Sequence, residues 1–189
     1  MKKNIPLFSL LAAVLISGKL YAQTPEESKA YAEYMTPGPT QQMMSKSAGT
    51  WTGTVTMWVK EGATPATSVM EATNTMILGG RYLQSMNKGT MMGMPFEGIG
   101  VTGYDNSKKV FASSWIDNMG TGMIFMEGSW DAATNSMKLS GMVTDPLTGK
   151  DAPIRETLKF VDDNHQVMEM YFTDKGKEYK GMEIMYTKK

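Results

Sequence analysis

From Gly49 onward the chain alternates. Trp51, Gly53, Val55, Met57 and Val59 fall on one side of an extended segment, and Thr50, Thr52, Thr54 and Thr56 on the other. This period of two belongs to a strand with one buried and one wet face. Similar runs, rich in β-branched and aromatic residues, occupy about 67–78, 81–92, 96–104, 110–118, 121–130, 136–144, 153–161, 165–173 and 177–187, making about ten strands. The connections are short and carry turn chemistry: Asp105 to Ser107, Asp131 to Asn135, Asp145 to Gly149, Asp162 to Asn164 and Asp174 to Gly176. Each marks a hairpin, and hairpins in series build an antiparallel up-and-down meander. An open sheet of this size leaves two long unpaired edges, which closure removes. The pattern therefore predicts an all-β chain with about ten strands in an antiparallel up-and-down β-barrel, a two-sheet sandwich being the structural alternative. Glycines inside the runs, such as Gly53, Gly98, Gly128 and Gly181, suit strands that must bend and coil.

Ahead of the strands the pattern is helical. Thr24 followed by Pro25, Glu26 and Glu27 supplies an N-cap hydroxyl, proline at the first position and acids at the positive end of the helix dipole. A short helix to about Met35 follows, broken by the Pro/Gly hinge at Thr36 to Pro39, with a second helical stretch from Thr40 to Ala48. One or two short helices thus precede the barrel.

The first 22 residues have a different grammar. Lys2 and Lys3 precede an apolar run from Ile5 to Ile16, and small residues lead to Ala22. That is the pattern of a secretory signal peptide, with cleavage expected after Ala22. Its apolar run is about a dozen residues where a membrane span needs roughly 20. The expected organisation is a signal at 1–22, a helix and hinge at 23–39, and a single barrel domain at 40–189. With no cysteine there is neither a disulfide framework nor a cysteine to carry a lipid anchor, so a periplasmic or secreted location without a membrane anchor is expected. Without Lys2, Lys3 and Lys19 the chain keeps 16 basic against 19 acidic side chains, a balance that argues against nucleic acid as a partner.

Several groups could carry chemistry. Trp51, Phe111, Trp115 and Phe125, pointing inward beside Met57 and Met126, would line an apolar cavity, with Arg81 as a polar contact. The plain alternative is that these side chains fill the barrel. Methionine is the compositional oddity, with 20 residues. Thioethers suit Cu(I), and Met91, Met92 and Met94 are the weak candidates for such a site. The spread of the other methionines over most strands favours packing or an adaptable pocket. His165, the only histidine, could ligate haem in a barrel, but Asp162, Asp163 and Asn164 place it at a polar hairpin tip or at the first residue of a strand. An enzymatic constellation would have to come from Arg81, Asp117, Glu127 and Tyr104, whose plainer roles include an ion pair for Arg81 and turn capping for Asp117. The run Gly98 to Gly103 looks like a phosphate loop but lacks the helix that would follow one, and reads as a strand.

Taken in order, Gly49-Thr50-Trp51, Leu78 to Leu83, Gly103-Tyr104-Asp105, Ser114 to Asp117, Gly120-Thr121-Gly122 and Glu127 to Asp131 resemble the domain-of-unknown-function 1579 family of exported bacterial proteins over roughly residues 40–187. The resemblance implies a lipocalin-like, calycin-type barrel with a short helix closing one end, and no established activity. It also implies a histidine in a Pro-x-His arrangement before that helix, where this chain has Gln41. The functional expectation is a barrel that binds a small apolar molecule without covalent chemistry and without a cofactor. The alternatives are an enzyme using interior polar residues on such a ligand, and methionine-based Cu(I) binding.

Overall fold

The computed structural model describes residues 24–189. The signal segment and its cleavage point after Ala22 lie outside the described residues. Helix α1 (Pro25–Met35) starts as its sequence dictates: the Thr24 hydroxyl accepts the Glu27 N–H (3.1 Å), and the Glu27 carboxylate accepts the Thr24 N–H (2.8 Å). None of its residues is buried. What holds it is its C-terminal end, where orphaned carbonyls need donors. Arg81 donates to the Met35 carbonyl (2.6 Å), and the Asn106 amide to the carbonyls of Glu33 (3.0 Å) and Thr36 (2.8 Å). After the hinge comes α2 (Pro39–Ser45), which buries Gln41 and Met44.

Ten strands follow: β1 (Gly49–Met57), β2 (Ala66–Ile77), β3 (Tyr82–Met91), β4 (Met94–Asp105), β5 (Val110–Asp117), β6 (Ile124–Asp131), β7 (Ser136–Thr144), β8 (Asp151–Phe160), β9 (His165–Asp174) and β10 (Lys177–Lys188). Each pairs antiparallel with its neighbours in sequence, and β1 also pairs with β10, from Trp51 opposite Lys188 to Met57 opposite Met182. The barrel is closed, and the sandwich alternative is set aside. Boundaries shift by a few residues. Val59 lies beyond β1 and is exposed, and β6 begins at Ile124 because Gly120 to Gly122 belong to the preceding turn.

Helix α2 plugs one end of the barrel. Met44 packs with Phe111, Met126, Met137, Leu139 and Ile154. Beside it Trp51 is fully buried, its indole N–H donating to the Ser47 carbonyl (2.9 Å). Gln41 ties the plug to the rim: its Oε1 accepts the Gly38 N–H (2.8 Å), and its Nε2 donates to the Tyr104 carbonyl (3.2 Å) and to Asn106 Oδ1 (3.0 Å). An amide is suited to this position because it donates and accepts at once.

At Gly128 the β6–β7 ladder leaves no room for a side chain, since a Cβ would stand 1.9 Å from the Lys138 carbonyl oxygen. That neighbour is backbone and cannot swing away. Gly128→Ala is therefore expected to cost more than the roughly 1–3 kcal/mol typical of overpacking. Gly122→Ala, where a Cβ meets nothing within 4 Å, should be close to neutral. Urea unfolding of the two variants beside the parent chain checks this, and equal midpoints would refute the packing argument.

Candidate functional site

Between the α2 plug and the opposite rim the inner faces of the strands enclose a cavity of about 310 Å³, at the small end of the range for ligand sites. Methionines dominate its apolar wall, among them Met57, Met70, Met168, Met170 and Met182, joined by Leu158 and Ile184. Trp115 lies flat against β4, nearly parallel to Phe96 (ring centroids 6.4 Å apart, interplanar angle 18°). The fit depends on Gly98, where a Cβ would come within 2.3 Å of the indole. Asp117 fixes the ring in plane: its Oδ2 accepts the Trp115 indole N–H (2.7 Å), while its Oδ1 accepts the Met119 N–H (2.9 Å).

The polar groups of the cavity fall on two walls. On one, Thr102 and Ser113 hydroxyls are 3.3 Å apart, Asn87 Nδ2 donates to Ser85 Oγ (2.9 Å), and Asn74 Nδ2 donates to the Ser47 carbonyl (3.0 Å). The Oδ1 atoms of Asn74 and Asn87 are buried and have no hydrogen-bond partner. On the other wall Gln166 Nε2 donates to Ser47 Oγ (2.9 Å), and Glu156 and Tyr186 face the cavity. Glu156 is half-buried on the cavity wall, and desolvation there pushes its carboxyl up to about 7. Burial, and then the charge of Glu156, pushes the Tyr186 phenol well above the usual range.

The structure brings Met57, Trp115 and Met126 to the cavity wall. It places the other expected contacts elsewhere. Trp51 and Phe111 point inward but are fully buried in the plugged end and do not line the cavity. Phe125 is on the outer surface, 62% exposed. Adjacent residues of a strand point to opposite faces, so Phe125 and Met126 cannot both face inward. Arg81 sits outside the barrel, donating to the Leu78 and Met35 carbonyls instead of joining an ion pair. Met91 and Met94 oppose one another across the β3–β4 hairpin; Met91 lines the cavity, Met94 is exposed, and Met92 occupies the exposed left-handed turn position.

The enzymatic set does not converge. Tyr104 packs on Phe111 (4.9 Å), Glu127 points outward towards Lys108 (3.8 Å), and only Asp117 of the four reaches the cavity. His165 is exposed, with Nδ1 2.9 Å from both Asp162 carboxylate oxygens. Sequence reasoning missed Glu156, Tyr186, Asn74 and Asn87. Strand parity carried the signal for the first, since Ile154, Glu156 and Leu158 share a face.

No curated protein matches the chain in sequence. The crystal structure of Rv2717c from M. tuberculosis is similar in fold, with a TM-score of 0.61 at 12% identity, covering 82% of this chain and 99% of that one. The family model described as "Protein of unknown function (DUF1579)" matches residues 36–188, a span that takes in α2 and all ten strands. The chain therefore belongs to the DUF1579 family.

Proposed function

We propose that this protein is a binding barrel for a small, largely apolar molecule, which it holds without covalent chemistry. The observation that carries the reading is the cavity itself: about 310 Å³ of interior space walled by thioethers and aromatic rings, with a few polar groups in fixed positions. Such a site binds by burial and orients by its polar contacts. Methionine walls adapt to an occupant, since an unbranched thioether changes rotamer at little cost. We further infer export, on the charged, apolar and small-residue segments of residues 1–22.

Native mass spectrometry of the protein purified gently from its own compartment should reveal an apolar small molecule that leaves on denaturation. An apo mass, together with no uptake of apolar probes, would sink the binding reading. The same spectra should give a chain beginning at Gln23, and an intact Met1 would end the export reading.

Glu156 makes stability depend on pH in a defined direction. In the unfolded chain its carboxyl titrates at its ordinary value of 4.5, and in the barrel at about 7. Between these values the folded state keeps a proton that the unfolded state has lost. Unfolding free energy therefore falls as pH rises from 4.5 to about 7, by about 3 kcal/mol from this group, and levels off above. Glu156→Gln, which cannot ionise, should remove that fall. Urea midpoints across this window compare the two proteins, and parallel curves would show that Glu156 is not desolvated.

A further inference from the structure

We propose that the molecule held in the barrel is an amphipathic amine, an apolar chain or ring whose ammonium group sits against Glu156. This rests on the binding reading above and adds the chemistry of the head group. Among the described residues no lysine, arginine or histidine lines the cavity, while two carboxyls do, Asp117 and Glu156. Asp117 is already satisfied by the Trp115 and Met119 N–H groups. Among the described residues Glu156 makes no ion pair and no hydrogen bond, and the polar group nearest to it is the Tyr186 phenol, whose proton its charge holds in place.

The groups around Glu156 define what it can accept. Tyr186 faces it from β10, and Asp117 stands on β5 as a second wall of the cavity. From the flanking strands β7 and β9 the inward residues are Met137, Leu139, Met168 and Met170, which carry no charge. A carboxylate ligand would meet two acids and no base. An alcohol could hydrogen-bond but would leave the carboxyl's charge unbalanced in a low-dielectric site. An ammonium group balances it, and the faces of Trp115 and Phe96 attract a cation as well.

The two asparagines, on the facing wall, call for a hydrogen-bond donor. Asn74 Nδ2 must be the donor to the Ser47 carbonyl, so the atom left without a partner is an acceptor. Asn87 is only 2% exposed and likewise leaves its Oδ1 unpaired. Buried acceptors without donors are costly, and a ligand carrying N–H or O–H donors supplies what they lack, which a carboxylate cannot do.

Three eight-carbon probes compare the head groups: n-octylamine, 1-octanol and octanoate, titrated calorimetrically into the full mature protein at about pH 8, where Glu156 is ionised. The amine should bind at least about tenfold more tightly than the alcohol, and octanoate more weakly than either. In Glu156→Gln, with its fold verified by circular dichroism, the amine's advantage should vanish while octanol affinity stays within about threefold. Octanol or octanoate binding as tightly as the amine in the wild-type protein would overturn the head-group assignment and leave the binding barrel standing. So would an amine preference that survives in Glu156→Gln. Failure of all three to bind would remove the binding reading, and this inference with it.

Discussion

The ladder between β1 and β10 is the constraint on which the rest depends. Consecutive hairpins alone make a ribbon with two open edges. The pairing from Trp51 with Lys188 to Met57 with Met182 turns both edges into one more ladder. Closure at ten strands then sets an interior problem. Eight strands enclose a space that side chains just fill, and a wider ring encloses more. Here the problem is solved differently at the two ends. At one, α2 packs Met44 with Phe111, and the fully buried Trp51 is bonded to the Ser47 carbonyl, so helix and aromatic rings occupy the bore together. Further along no helix of the described residues enters, and the methionine-rich wall leaves the cavity. Plug and pocket are thus two consequences of one circumference.

This division explains which parts of the molecule were legible in the sequence. Strand number and order followed from alternation and from the aspartate-rich turns, because both signals are local, and closure followed from the cost of leaving two edges open. The cap of α1 was legible for the same reason: Thr24 and Glu27 are three residues apart and find each other without help from the barrel. Position along the bore is not local. Trp51, Phe111 and Trp115 all have inward parity, yet two fill the plug and one lines the cavity. Nothing in their immediate neighbours separates them, since the difference is set by where α2 docks. Phe125 was a different failure, a matter of parity, because Met126 beside it already claimed the inner face. Arg81 is hardest of all, since its partner carbonyls at Leu78 and Met35 belong to a turn and to a helix end placed by tertiary structure.

The interior charge follows from the same parity rule. Arg155 is the cation nearest to Glu156 in sequence, and strand alternation turns it to the opposite face. There it pairs with Glu178 (2.8 Å) and lies over the Tyr171 ring (3.8 Å). Lys180, on β10, is likewise spent outside, on Glu169 (3.0 Å) and Glu183 (2.5 Å). Both cations are thus held on the outer surface, and among the described residues none lines the cavity. A protein selected only for stability would gain by replacing Glu156 with an apolar residue, because an unpaired buried carboxyl opposes folding whenever it ionises. Local rules broken without compensation gather at functional sites. Two carboxyls share this cavity in unlike environments: Asp117 is held by an indole N–H and a turn N–H, so its hydrogen bonds fix the shape of the wall. Glu156 makes no hydrogen bond or ion pair among the described residues, so its energy is open to change by an occupant.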